Sequence, residues 1–398
     1  MTILSSTGKR VAVVYVGLFF SYGIFLPFYP LLLADHGMGD TEIALLIAVP
    51  MALRAALASP LGILADRIGN HRYVLTLYSF VAASAFSLFP LARGFWALLA
   101  VSVVTSLFSN ASTPVTDALA TSVVRRGGGD YGRMRMWGSM SFVVANVVGG
   151  ALISGMAAQV VFWISLVSLW GAFVVLATAP PSGFGNPRPD LVDTTDVARI
   201  ESHTIRPHFL KDRVLVAGMV AAALFQSSHA MIYGFSSLYW GQIGFSGTMI
   251  GIFWATGVVA ETLMFFLSGR LFRSWGAGQM LMLSGFAALC RWLLFPVLTS
   301  VPGYLALQSL HALTFACCHL AMMRLVVTRV PERVASTVQG VYATLGAFTM
   351  SAATLVSGPL YRIFGGTGFQ LMSGFVVVGL LISLIWVGTR RQAAFDVA

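Results

Sequence analysis

Six ionisable side chains stand out inside or at the mouth of long apolar runs: Arg54, Asp117, Arg135, Glu261, Arg291 and His311. An Arg or Asp at the centre of a membrane span costs roughly 2.5–3.5 kcal/mol on insertion scales, so each needs a partner or a task. Asp117 falls on a helical face with Asn110, Pro114 and Thr121, and Arg135 on one with Ser139, Phe142 and Asn146. Both lie toward the same end of consecutive runs, so the two can pair. The pair is either a structural salt bridge or a cavity pair that opens for a polar ligand. Glu261, Arg291 and His311 sit on three further consecutive runs. A carboxylate, a guanidinium and an imidazole so spaced predict one network. Burial pushes the acid toward its neutral form and the arginine holds it ionised, so an anion that competes for the arginine frees the acid to take a proton. The bland alternative is a neutralised structural cluster.

His229 leads a stripe of Tyr233, Ser236 and Trp240, which either lines a cavity or packs. Tyr15, Phe19, Tyr22 and Tyr29 recur at helical spacing on the first run and read as packing or interface anchoring. Cys290, Cys317 and Cys318 all fall within apolar runs, and adjacent cysteines diverge around a helix, so no disulfide framework is expected. His319 diverges from them in the same way, so no metal site is expected. No H-E-x-x-H or G-x-S-x-G appears, which argues against an enzyme, and no cofactor is expected.

The elements that position these residues follow from composition. The 398 residues are 57% hydrophobic and 10% charged, where a soluble chain carries about a quarter charged residues. The apolar surplus must face lipid. Runs long enough to cross a bilayer, about 20 residues each, are predicted at 11–33, 43–65, 73–91, 95–120, 136–155, 160–178, 213–238, 248–269, 279–297, 303–327, 336–357 and 368–388. They are too long for barrel strands and do not alternate. Lys9 and Arg10 precede the first run, but no small-residue cleavage site ends it, so it is expected to stay as a span.

With the N-terminus placed in the cytoplasm, twenty of the 24 Lys and Arg fall on that side and two, Arg93 and Arg362, outside. That imbalance predicts both termini cytoplasmic. The net charge of +10 is spread over short loops, which argues against a nucleic-acid partner. The polar segment 179–212 carries Pro180, Pro181, Pro187 and Pro189 and reads as a linker between a first unit, 1–178, and a second, 213–398.

Between the second and third runs, Gly62, Asp66, Arg67, Gly69 and Arg72 make the pattern G-x-x-x-D-R-x-G-x-x-R in a short turn. A shift of 207 carries Gly62, Asp66 and Gly69 onto Gly269, Arg273 and Gly276, and Arg54 onto Glu261. The second half keeps the glycines and lacks the acid. A duplicated six-span unit predicts a transporter with its site between the halves near the midplane. The turn at 62–72 is expected to act as a latch, with Asp66 pairing a base or a helix N-terminus.

The turn resembles the signature of the major facilitator superfamily. The segments Phe20–Phe28, Thr116–Ala120, Asp130–Gly138 and His229–Phe235 resemble the phenylpropionate permease group, which is similar to the lactose permease (oligosaccharide:proton symporter) branch. The resemblance implies an all-α integral membrane fold, with twelve transmembrane helices in two pseudo-symmetric six-helix bundles. It carries the branch's substrate-binding acid and arginine onto Asp117 and Arg135, and its Glu, Arg and His onto Glu261, Arg291 and His311. One turn after that His the branch has a proton-binding Glu, and this chain has Thr314. The proton role then passes to Glu261, Asp117 or His311.

The expected function is proton-coupled uptake of a small aromatic carboxylate by alternating access in a bacterial-type inner membrane. The alternatives are symport of a sugar or nucleoside, and efflux of a drug or metabolite. Substrate-binding residues are expected at Asn110, Asp117, Arg135, Phe142, His229, Tyr233, Glu261, Arg291 and His311. The expected partners are a small-molecule substrate, protons and the lipid bilayer, with the monomer as the working unit.

Overall fold

A computed structural model of the chain describes residues 5–68, 70–125, 130–178 and 211–395. Within them it defines all side chains except those of Ser59, Asp66, His71, Arg125, Glu332, Arg333, Ser336 and residues 385–395. The described residues contain helices and turns and no strand. The first six spans are α1 (Ser6–Asp35), α2 (Asp40–Ile68), α3 (His71–Ser87), α4 (Phe95–Arg125), α5 (Tyr131–Gly155) and α6 (Gln159–Thr178). Side-chain caps start several of them. Asn70 accepts from the Tyr73 amide and Asp130 from the Arg133 amide, each satisfying an N–H that the first helical turn leaves unpaired.

Residues 179–210 of the expected linker lie outside the described residues, and beyond them come α7 (Arg213–Ser227), α8 (Ala230–Gln242), α9 (Gly247–Leu271), α10 (Ala277–Leu294) and α11 (Val301–Ser309). A π-helical turn, Ala312–Cys317, leads into α12 (Cys318–Arg329), and α13 (Glu332–Phe364), α14 (Gly368–Leu371) and α15 (Ser373–Phe395) complete the chain. By length and hydropathy eleven stretches can cross a membrane, and the longest, Thr337–Leu384, holds 48 residues. It is two spans. The chain leaves α13 through Gly365, whose φ of 52° suits a residue without a Cβ. That gives twelve.

Three expectations are corrected. Gly62 to Ile68 is the last part of α2 and not a turn. A lone Gly in an apolar run costs only about 1 kcal/mol of helix propensity, too little to end the helix. The seventh span is not one helix but breaks at Ser228–His229 between α7 and α8. Ser228 Oγ donates to the Phe225 carbonyl at 2.6 Å, and His229 Nδ1 lies 3.1 Å from the carbonyl oxygens of Phe225 and Gln226. These side chains compete with the helix ladder for its own acceptors. The tenth span is likewise interrupted, by the π turn after His311. Such turns re-aim side chains within a helix, and irregular backbone at membrane depth is tolerated where protein surrounds it.

The first and last six spans meet along α2–α13 and α5–α9. Among the described residues, the hydrogen bonds between them cluster toward one end, where α5 and α13 finish and α2 and α9 begin. Ser154 Oγ lies 3.0 Å from Thr248 Oγ1 and accepts from the Thr248 amide at 2.7 Å, and Ser351 Oγ donates to the Ala48 carbonyl at 2.8 Å. Gly150, Gly247 and Gly251 form the α5–α9 crossing. A Cβ on Gly150 would overlap the Gly247 carbonyl, and one on Gly251 the Asn146 carbonyl. The molecule is therefore sealed at this end by backbone against backbone. Cysteines replacing Ser154 and Thr248, in a Cys290→Ser background, are expected to cross-link under mild oxidant. Retained maleimide labelling of both thiols would show that this end is open in solution.

Candidate functional site

Two of the voids between the helices share Leu26 and Tyr233. One, of about 300 Å³, is bounded by α1, α2 and α4, with Leu169 and Tyr233 closing it. The other, of about 190 Å³, is bounded by α8, α9, α10 and the broken tenth span, with Leu26 and Phe142 facing from the first half. Glu261, Arg291, Gln308 and His311 line the second void. The sequence-expected network forms there, but through an intermediary.

Glu261 Oε2 is 3.4 Å from His311 Nε2, and His311 Nδ1 is 3.2 Å from Arg291 Nη1. A guanidinium nitrogen only donates, so His311 Nδ1 accepts and the ring hydrogen sits on Nε2, facing the carboxylate. Arg291 thus reaches Glu261 through His311 and not directly. Arg291 Nη1 also donates to Thr314 Oγ1 at 3.0 Å, and Nη2 to Gln308 Oε1 at 2.5 Å. Thr314 Oγ1 lies 2.9 Å from His229 Nε2. With its oxygen accepting from arginine, the threonine hydroxyl is free to donate to His229, whose Nδ1–H points to backbone carbonyls. Five side chains on four spans form one chain, Glu261–His311–Arg291–Thr314–His229.

The wall of this void is aromatic. Tyr233 stacks on His229 at 5.9 Å and on Trp254 at 6.0 Å between centroids. Trp240, the last member of the His229 stripe, instead packs away from the voids among Phe253, Phe295 and Tyr304.

The first half holds two separate polar groups. Tyr15 and Tyr131 both donate to Asp117 Oδ1, at 2.5 and 3.0 Å. Arg135 lies over the Phe19 ring, 3.9 Å from its centroid, and 5.6 Å from that of Tyr15. Asp117 and Arg135 make no ion pair. Tyr15 serves both residues, its hydroxyl bonding the acid and its ring facing the base, and a desolvated cation–π contact is worth up to about 2 kcal/mol. Neither residue lines the two voids. Arg54 does line the larger one, and Arg54 Nη1 donates to Asn110 Oδ1 at 2.6 Å.

The tyrosine stripe pins α1 to α4. Tyr22 donates to the Ser109 carbonyl at 2.6 Å, and the Tyr29 hydroxyl meets Ser102 Oγ at 2.5 Å. Of the 62–72 pattern, Arg72 bonds the Leu176 and Ala177 carbonyls at the end of α6, at 3.1 and 2.9 Å. Cations suit a helix C-terminus. Arg67 is exposed, Gly62 has open space around it, and the Asp66 side chain and Gly69 lie outside the described residues. The matching turn of the second half is held from α12, where Arg324 donates to the Phe272 and Trp275 carbonyls.

Thr314 and Gln308 complete the network, and helical spacing from His311 is the signal that marks both. Thr314→Val keeps the shape and leaves Arg291 and His229 each short of a partner. It is expected to lower stability by about 1–3 kcal/mol, the cost of unsatisfied buried polar groups, read as a lower denaturation midpoint of the purified protein. An unchanged midpoint would remove Thr314 from the network.

The model of the MFS_1 like family matches residues 9–372. The chain is 31% identical over 378 residues to a probable 3-phenylpropionic acid transporter of Escherichia coli (strain K12), covering 93% of this chain and 95% of that protein. It is 25% identical over 386 residues to the maltose permease of Geobacillus stearothermophilus, covering 95% and 94%. Among solved structures, the nucleoside transporter NupG superposes with a TM-score of 0.81 at 14% identity, over 96% of this chain and 98% of that one, which shows a shared fold. Twelve spans, paired voids between them and these similarities agree, and the chain belongs to the MFS_1 like family, as a multi-pass transporter of the major facilitator superfamily and not an enzyme.

Proposed function

We propose that this transporter takes up a small aromatic carboxylate together with a proton, by rocking its first and second six-span units about the paired voids. The observation that carries this reading is the Glu261–His311–Arg291 chain bordering a void with the aromatic wall of Tyr233, Trp254 and Phe142. Sites for small molecules are mostly apolar with a few polar groups that orient the ligand. The relative at 31% identity is named for an aromatic carboxylic acid. The two voids, about 300 and 190 Å³, have room for a compact cargo.

With both termini in the cytoplasm, the sealed α5–α9 end faces outward and the described state faces inward. The glycines of that crossing and the latch at Gly62–Arg72 then serve as gates at opposite ends. The voids are built within a single chain, which supports the monomer as the working unit.

Charge supplies the reason for a proton. Carrying one elementary charge across a potential of 100 mV costs about 2.3 kcal/mol, so a lone carboxylate enters an inside-negative cell uphill. A proton on the Glu261–His311 pair makes the step electroneutral. Because His311 Nδ1 accepts from Arg291, a proton added there would set two donors against each other and break that bond. The network therefore links protonation to the position of Arg291. Asp117 is held by two tyrosine hydroxyls away from the voids and is the weaker candidate for the proton.

In proteoliposomes with an alkaline interior, 3-phenylpropionate is expected to accumulate. Accumulation under the opposite gradient would mark efflux instead, and accumulation of maltose or uridine in its place would mark the sugar or nucleoside reading. Glu261→Gln is expected to abolish gradient-driven accumulation and preserve counterflow exchange. Undiminished accumulation by that variant would move the proton site off Glu261.

A further inference from the structure

Three arginines are among the in-span charges singled out in the sequence, and two are already engaged. Arg135 is held against the Phe19 ring. Arg291 is 1% exposed and bonds Gln308, Thr314 and His311. Arg54 differs. It has one hydrogen-bond partner, Asn110, and no carboxylate within ion-pair distance among the described residues. A guanidinium carries five N–H donors, so most of those on Arg54 are uncommitted, and the residue lines the 300 Å³ void.

A second observation points to the same place. Thr105 Oγ1 and Ser109 Oγ are buried without a hydrogen-bond partner, and both residues line that void. Thr105 is 3% exposed. Six buried hydroxyls lack a partner among the described residues, and Thr105 and Ser109 are the two that line this void. Both stand on α4, the helix of Asn110 that holds the guanidinium, so the cation and these two hydroxyl residues border the same void. The far part of the void is apolar. Phe25 and Tyr29 stack with centroids 4.0 Å apart, and Leu46 closes α2 eight residues from Arg54. Eight residues span about 12 Å of helix, enough for an aromatic ring on a short chain ending in an acid.

We propose that Arg54, helped by Asn110, Thr105 and Ser109, anchors the carboxylate of the transported acid, leaving Arg291 to the proton network. This rests on the reading that the cargo is a carboxylate. It also gives the pseudo-repeat a purpose. The position occupied by Arg54 in the first half is occupied by Glu261 in the second, so one site holds the anion and its repeat holds the proton. Arg54 and Asn110 also line a groove of about 550 Å³ between α2 and α4 that runs toward Gly62 and Ala65. The anchor thus stands where that groove meets the void.

The test compares binding of 3-phenylpropionate and its neutral amide, 3-phenylpropanamide, to the purified full-length protein by titration calorimetry. The wild type is expected to prefer the acid by about tenfold or more, as a guanidinium site should. Arg54→Gln is expected to bring that ratio to about one while the amide still binds, a change that a merely structural role would not produce. Arg54→Lys is expected to keep part of the preference, because the charge stays and the fork geometry goes. Asn110→Asp supplies a competing carboxylate beside Arg54 and is expected to erase the preference as well, which covers an Arg54→Gln protein that does not fold. Preserved discrimination in the variants overturns the anchor and leaves the cargo reading standing. A wild type that binds neither probe overturns both.

Discussion

A guanidinium that is 1% exposed cannot shed its charge at neutral pH, so its surroundings must be built to suit it. Arg291 takes an oxygen from Gln308, an oxygen from Thr314 and a ring nitrogen from His311. Those acceptors fix much of what surrounds the void. Thr314 must turn its hydroxyl hydrogen to His229, and His311 must turn its own to Glu261. The π turn at Ala312–Cys317 lies on the same span and contains Thr314. The break at Ser228–His229 lets His229 lie against Thr314 while its other nitrogen meets backbone carbonyls. Two helix irregularities and one buried cation belong to a single arrangement.

The first half solves the same problem differently. Its mid-span arginine meets one amide and is left facing a void, while its acid meets two tyrosines away from the voids. Rigidity there comes from Tyr15, Tyr22 and Tyr29, whose hydroxyls fasten α1 to α4. Such bonds hold the wall of a cavity without filling it. The two halves are therefore chemically unequal in spite of their repeated plan.

The halves touch closely at the α5–α9 crossing, which is made by glycines and backbone carbonyls, with Ile153 beside Gly247 and Ser154 against Thr248. The cation–carbonyl clasps Arg72–α6 and Arg324–Trp275 act within each half.

Membrane class and the span count are fixed by composition, because a chain with 57% hydrophobic residues in runs of twenty has only lipid to face. The in-span charges are also legible, since each is too costly to be accidental, and so is the grouping of Glu261, Arg291 and His311, which lie on neighbouring spans. Their order is not legible. Sequence spacing says which helix face a side chain occupies, but not which of three polar groups stands between the other two. Tertiary packing alone put His311 between Glu261 and Arg291, and Tyr15 between Asp117 and Arg135. The same limit applies to α7–α8 and to α2. Breaks and continuations depend on whether a side chain finds a better acceptor in the folded bundle, and periodicity cannot register that competition.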